Sequence, residues 1–433
     1  YRKLLRFVLP SIVMMIFTSI YSVVDGLFVS NFVGKSAFAA INLMMPFLMG
    51  ISALGFMIGT GGSALVAKTL GEGKKEKANE YFSMLVYITL ASGLIIAILS
   101  AFAMRPVAII LGARGELLKN CVLYGRILCI SLTCFMLQNV FQSFFVAAEK
   151  PHLGLRVVVI AGVTNMLLDF LFVAVLHWGL TGAAIATVCG ELIGGIFPIF
   201  YFGHKNSSLL KLGKTHFYPK VLLKTCTNGS SELMTNLSSS LVNSLYNLQL
   251  MKFAGEDGVA AYGTIMYVNF IFAAIYFGYS IGSAPLVSYH HGAANHDELK
   301  NLFHKSVRLI STWAISLFVL AQLIASPLAS LFVGYDPALF ELTRMGFRIY
   351  CFAFLINGFN IYGSAFFTAL NNGLLSALIS FLRTLVFQMA AILILPLIFV
   401  INGIWYSITV AELLTLCVTA TFIVRKRNTY HYF

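Results

Sequence analysis

Along the 433-residue chain, apolar runs of about 20 residues or longer alternate with short polar segments. Twelve such runs can be delimited, at 4–33, 38–67, 79–104, 118–148, 153–176, 180–202, 221–253, 258–289, 303–325, 339–370, 373–399 and 403–424. Each is long enough to cross a hydrocarbon core of about 30 Å as a helix rising about 1.5 Å per residue. Lipid offers no partner to exposed backbone groups, so a spanning segment is a helix or part of a closed barrel. Unalternating runs such as Leu85 to Ala103 and Ile310 to Ala325 read as helices. The pattern predicts an all-α integral membrane protein with twelve transmembrane helices.

Composition agrees: 59% hydrophobic residues, 10% charged residues and a mean hydropathy of +0.87 exceed what a soluble core can hide. The net charge of +13 raises the question of a nucleic-acid partner. The basic residues, however, sit in alternate loops rather than in one patch, which membrane topology explains better. Placing both termini in the cytoplasm puts 20 of the 29 Lys and Arg on that side, including Arg2, Lys3, Arg6, Lys74, Lys75, Lys77, the 205–224 segment and Arg425-Lys426-Arg427. Eight lie opposite, and Arg383 is intramembrane. The first helix is expected to act as its own insertion signal, and the seven scattered cysteines read as reduced core residues.

A shift of about 221 residues aligns the two halves of the chain. Gly34 to Ala40 answers Gly255 to Ala261, Leu65-Val66 through Gly71 answers Leu286-Val287 through Gly292, and Arg126-Ile127 answers Arg348-Ile349. Phe144 to Ala147 answers Phe366 to Ala369, and Gly182 with Glu191 answers Gly403 with Glu412. One six-helix unit is used twice, giving two pseudo-symmetric bundles related by an axis along the membrane normal. The expected division is an N-lobe at 1–203, a cytoplasmic linker at 204–219 and a C-lobe at 220–433. The cavity between the bundles is the natural substrate site.

Five acids fall well inside the predicted helices, away from their ends: Asp25, Asp169, Glu191, Glu232 and Glu412. Each costs at least about 2.5 kcal/mol at the bilayer centre, so each needs a partner, a proton, an ion or water. Asn165 and Asp169, four apart, share a face of the fifth helix. Counting from the outer boundary at Gly34, Trp178 and Gly179 places Asp25, Asp169 and Thr187 at one depth, roughly 12–14 Å down. Two carboxylates, an amide oxygen and a hydroxyl are hard ligands that suit Na⁺; equally, two adjacent carboxylates can share a proton. The positions equivalent to this set in the second half are Tyr246, Val386 or Phe387, and Ala390 or Ala391, so the set reads as function confined to one lobe.

Glu412 is expected to pair with Arg383 at similar depth. Glu191 has no such partner, because Arg383 corresponds to Ala161 or Gly162, and it is a candidate for coupling to the Asp169 site. Glu232 is a candidate substrate or second-cation contact. Pro10 removes a backbone hydrogen bond from the first helix and makes it a candidate hinge. Gly278-Tyr279-Ser280-Ile281-Gly282 matches the GxSxG pattern but lies in a transmembrane helix without an intramembrane His, and neither HExxH nor GxxxxGK[ST] occurs. The chain is therefore not expected to be an enzyme. His290, His291 and His296 read as solvated loop residues.

The basic N-terminus, Pro10, Tyr21-x3-Asp25, Gly59 to Gly73 with its following Lys run, Asn165-x3-Asp169 and the six-helix repeat together resemble the multidrug and toxic compound extrusion (MATE) family over nearly the whole chain. Gly229-Ser230-Ser231-Glu232 with Ala260-Ala261-Tyr262 is similar to its MepA-like bacterial branch. The resemblance implies a secondary active exporter of cationic or amphipathic drugs by antiport against Na⁺ or H⁺, with no cofactor. It implies a monomer in the bacterial plasma membrane, and an N-lobe cation site that maps onto Asp25, Asn165, Asp169 and Thr187. Asn357 and Asn360 stand where some relatives carry a further acid. Tyr21, Phe28, Phe141, Phe145, Tyr246 and Tyr276 are expected to line the drug cavity. Flippases for lipid-linked oligosaccharides share this broad shape and form the alternative, though five intramembrane acids against one Arg favour a cationic cargo.

Overall fold

The computed structural model describes residues 2–33, 35–334 and 336–433, with their side chains except at 22–23, 26–31, 35–36, 38 and 256. The Phe28 side chain and Gly34, both used above, lie outside the described residues. Helices α1 (Arg2–Phe32), α2 (Lys35–Gly71), α3 (Lys75–Ile110), α4 (Gly115–Ala147), α5 (Pro151–Asp169) and α6 (Gly179–Gly203) make up the first half. The stretch Pro219–Gly292 is broken at Gly255, with φ 62° and ψ −150°, into α7 (219–254) and α8 (Asp257–Gly292). Then follow α9 (His296–Val333), α10 (Pro337–Ala369), α11 (Gly373–Phe399) and α12 (Ile401–Tyr430). The protein is an all-α, twelve-helix membrane protein, and no strand occurs among the described residues.

Eleven of these helices are long and apolar enough to span a bilayer. The exception is α7, where Thr225, Asn228, Ser231, Glu232, Thr235, Asn236, Ser239 and Asn243 dilute the apolar pattern. On α3, Leu94, Ile98 and Phe102 recur every fourth residue and are 52%, 58% and 78% exposed, a face that only lipid can cover.

Local chemistry sets the helix ends. Pro151, Pro219 and Pro337 open α5, α7 and α10, where a missing N–H costs nothing. The Asn295, Asp336 and Asn372 side chains accept from backbone N–H groups in the first turns of α9, α10 and α11. The repeat reappears in the turns: Glu149 and Asn371 after α4 and α10 take φ 59° and 58°, and Gly73 and Ala294 after α2 and α8 take φ 80° and 51°. Two helices are interrupted. A 3₁₀ turn at Cys351–Ala353 divides α10, and a π-helical turn at Leu382–Phe387 divides α11.

Both chain ends gather at one end of the molecule, called basal here: Lys3 lies beside His290, His291 packs on Tyr430, and Phe303 packs on Tyr432. The linker also lies there and is bonded to the first half. Lys211 N–H donates to Asn79 Oδ1 (2.8 Å), Gly213 N–H to Ser83 Oγ (3.0 Å) and Thr215 Oγ1 to the Glu80 carbonyl (2.7 Å).

At this end the first helix of each half packs into the other half. Leu4, Val8 and Ile12 of α1 belong to the hydrophobic core built by α7 to α12. Reciprocally, Val221, Leu222, Cys226 and Leu233 of α7 pack on the core of Phe82, Phe141, Phe144 and Phe202. Glycines allow close approach. A Cβ on Gly278 would come within 2.5 Å of Ile12 Cα, and one on Gly292 within 2.8 Å of the Lys68 carbonyl carbon. Toward the other, distal end, Ala40, Met44, Met104, Tyr124 and Leu180 form a core containing first-half residues alone. The halves are thus fastened basally and share no hydrophobic core distally among the described residues, a V that opens at the distal end.

His290 and His291 are half-buried in the basal seam with Nδ1 atoms shielded from solvent and unbonded, rather than solvated in a loop as expected. The helix α8 extends through Gly292 and carries them into the packing.

Candidate functional site

Two cavities adjoin inside the V. The first, of about 160 Å³, lies within the first half between α1, α2, α4, α5 and α6. Its wall includes Tyr21, Asp25, Gln138, Asn139, Gln142, Gly162, Asn165, Thr187 and Glu191. The spacing of four between Asn165 and Asp169 turns both from α5 toward α1 and α6. Asp169 is fully buried, and its carboxyl group neighbours that of Asp25. Asn165 Nδ2 donates to Thr187 Oγ1 (3.4 Å), and Thr187 Oγ1 donates to the Ala183 carbonyl (3.1 Å). That arrangement leaves Asn165 Oδ1 free to face the aspartates.

Four oxygens in this cluster, Asp25 Oδ1, Asn165 Oδ1 and both Asp169 oxygens, are buried and accept no hydrogen bond. Buried polar atoms are rarely left so, and a carboxylate in apolar surroundings least of all. Such a set of oxygens is chemically suited to a small cation or a proton. Immediately after Asp169 the backbone widens into a π-helical turn, Phe170–Val175, in which Leu176 N–H reaches back five residues to the Leu171 carbonyl (2.8 Å). Single π turns recur at functional sites because they redirect side chains without ending a helix.

Glu191, one turn beyond Thr187 on α6, also faces this cavity and accepts a hydrogen bond from Ser131 Oγ (2.5 Å). Tyr21 lies on the wall over Gly162, where a Cβ would come within 3.0 Å of its ring.

The second cavity, of about 310 Å³, lies between the halves. Glu232 of α7 and Arg383 of α11 both face it, with Thr60, Asn139, Gln142, Asn236, Ser280 and Ser364 among the polar lining and Met15, Phe56, Phe270 and Phe277 among the apolar. No hydrogen bond from the described residues reaches the Glu232 carboxylate. Arg383 is engaged: its Nε lies 2.9 Å from Glu412 Oε1, and its Nη2 donates to Asn357 Oδ1. Asn360 Nδ2 donates to the same Glu412 carboxylate (2.7 Å). Met15, Phe56, Asn139 and Gln142 border both cavities and form the partition between them.

The aromatic residues expected at the cavity mostly lie elsewhere. Phe141 and Phe145 are in the basal core, Phe141 stacking on Phe202 at 5.8 Å. Tyr246 stacks on Tyr262 at 5.2 Å, and Tyr276 donates to the Phe354 carbonyl (3.1 Å); both are buried in the second half. Ring packing claims these faces, and Tyr21 alone of the described aromatics expected there borders a cavity. Phe56, Phe270 and Phe277 take the role instead. The amides of α4 were not anticipated, although Gln138, Asn139 and Gln142 within one apolar span are a legible signal. Pro10 lies inside the unbroken helix α1, in the stretch that crosses to the second half.

The MatE family model matches residues 10–171 and again residues 233–394, one copy per half. The chain belongs to the MATE family. It is a membrane transporter and not an enzyme. The multidrug export protein MepA of Staphylococcus saprophyticus is 22% identical over 436 residues, covering 98% of this chain and 93% of the relative. MepA of Staphylococcus haemolyticus is 24% identical, covering 96% and 91%. Among solved structures, an outward-facing multidrug resistance MATE transporter superposes with a TM-score of 0.93 at 22% identity, and a MATE in the bent conformation with 0.89 at 22%; each alignment covers 99% of this chain and 96% of the other. These MATE structures share its twelve-helix fold.

Proposed function

We propose that the chain is a secondary active multidrug exporter of the bacterial plasma membrane, with its basal end in the cytoplasm, that moves cationic or amphipathic molecules outward in exchange for Na⁺ or H⁺. The observation that carries this reading is the set of four buried, unbonded oxygens on Asp25, Asn165 and Asp169. They need a positive charge that no side chain supplies, because the surrounding cavity has no Lys, Arg or His on its described wall. Na⁺ would find hard oxygen ligands at Asp25, Asn165, Asp169 and Thr187; a proton would sit between the two aspartates.

The drug would occupy the central cavity, where the Glu232 carboxylate is free and the Arg383 charge is already spent on Glu412. That balance favours a cationic cargo over an anionic lipid-linked one. Cation binding would act on drug binding through the shared partition of Met15, Phe56, Asn139 and Gln142. The MepA relatives are named as multidrug exporters, which supports the same cargo class.

Uptake of a fluorescent organic cation into inverted vesicles, with Na⁺ and pH gradients imposed separately, tests this. Wild type is expected to accumulate the dye under one of the gradients, and Asp25→Asn and Asp169→Asn to lose at least tenfold of the initial rate. Gradient-driven uptake that survives both substitutions would remove these aspartates from the coupling site.

A further inference from the structure

The two halves treat one position differently. In the second half, Asn360 of α10, Arg383 of α11 and Glu412 of α12 form a closed cluster. Asn360 Nδ2 and Arg383 Nε both donate to the Glu412 carboxylate, at 2.7 Å and 2.9 Å. The offset of 221 to 222 residues maps these positions onto Gln138 of α4, Ala161 or Gly162 of α5 and Glu191 of α6. All four of those residues border the 160 Å³ cavity. The carboxylate is kept and an amide is kept, but the guanidinium is replaced by the smallest side chains, and at Gly162 the rings of Phe17 and Tyr21 pack over the backbone beside the cavity.

Gln138 is 5% exposed and makes no hydrogen bond to the described residues, and neighbouring Asn139, 3% exposed, has an Nδ2 group without a partner among them. Buried amides without partners beside a carboxylate are features of an incomplete site. Glu191 shares the cavity wall with Asp25. Among the described residues no three acidic, His or Cys side chains converge on a single ion position. The titratable groups within electrostatic reach of Glu191 are Tyr21 and Asp25 of α1 and Tyr124 and Cys134 of α4, with no basic residue among them.

We propose that Glu191 is a second coupling-cation position in the first half, separate from Asp25 and Asp169, which takes a proton or a small monovalent cation where the second half carries the fixed guanidinium of Arg383. The second half then shows the occupied form of the site with its cation built in and unable to leave, while the first half has a site that exchanges. Two positive charges are carried per cycle, one at the aspartate pair and one at Glu191, and the cavity with three carboxylates comes closer to neutrality. The transport readout rests on the antiport function proposed above; the binding readout does not.

The experiment uses the purified full chain in liposomes with the membrane potential clamped at zero and ethidium as the transported cation. The steady-state ethidium ratio is measured against the imposed Na⁺ or H⁺ ratio. The logarithmic slope gives the number of coupling cations. It is expected to be about two in wild type and Glu191→Asp and about one in Glu191→Gln. A slope unchanged by Glu191→Gln overturns the proposal.

Should wild type show no gradient-driven uptake, the antiport function fails but the site does not. The same preparations in detergent are then titrated, counting Na⁺ bound by isotope and protons bound by potentiometry. The same counts decide if Glu191→Gln alone is inactive. One fewer cation bound by Glu191→Gln than by Glu191→Asp supports the assignment. Equal counts reject it.

Discussion

Arg383 shows how one residue can be both legible and misjudged in its reach. A lone arginine in an apolar run must find an acid, and Glu412 at similar depth was the only candidate in that half whose repeat position is also acidic. The pair is nearly dry, with side chains 12% and 1% exposed. What spacing did not reveal is that Asn357 and Asn360 complete the cage, because their orientation depends on the π-helical turn around Arg383 and the 3₁₀ turn before Phe354. Removing one partner of such a pair strands a buried charge. Arg383→Met is expected to destabilise the protein by about 3–5 kcal/mol, whereas Arg383→Met with Glu412→Leu should recover most of that loss. Thermal unfolding of the purified variants in detergent checks the order. A double variant as unstable as the single one would mean that the cost lies in packing rather than charge.

At the scale of elements, twelve helices and a duplicated unit could be read because apolar length and a 221-residue offset are properties of the sequence itself. Intramembrane acids stood out for the same reason: few residues in these runs are charged. The aromatic residues did not sort. All the helices but α5 carry them, and which face meets a cavity depends on α1 and α7 crossing into the opposite half, an arrangement with no local signature. That crossing rests on the basal seam of α2 and α8. Gly71 and Gly292 there leave no room for a Cβ against the opposing backbone, at Tyr289 and Ala293 on one side and at Lys68 on the other. Gly292→Val places a branched side chain against backbone that cannot rotate aside, a strain of about 1–3 kcal/mol in the sealed state and none once the seam opens. The distal-open population is expected to fall roughly tenfold or more relative to the basal-open one. Electron–electron distance measurements between spin labels on the distal ends of α1 and α7 would report it as a shift to shorter distances. An unchanged distribution would mean that the seam does not hold the V open.

At the scale of the molecule, the shape and the charge distribution make a joint statement about which side the cavity faces. Among the described residues the two halves share hydrophobic cores only basally, and the basal end carries the chain termini and the basic linker. Basic loops are retained in the cytoplasm. If the basal end is cytoplasmic, the central cavity in this conformation is reached from outside the cell, the state in which an exporter has released its cargo and can take up its driving cation. Ser239 tests both parts at once, since it is exposed on α7 and borders the central cavity. In a background with the seven native cysteines replaced, Ser239→Cys is expected to react with a membrane-impermeant maleimide added to intact cells, and a bound cationic drug should slow that reaction several-fold. Inverted vesicles without drug should label far more slowly, because the basal seam closes the route. Labelling that is fast only in inverted vesicles would reverse either the orientation or the resting conformation. A second cysteine at Thr215, on the basal linker, separates the two: it reports the side of the linker whatever the cavity is doing.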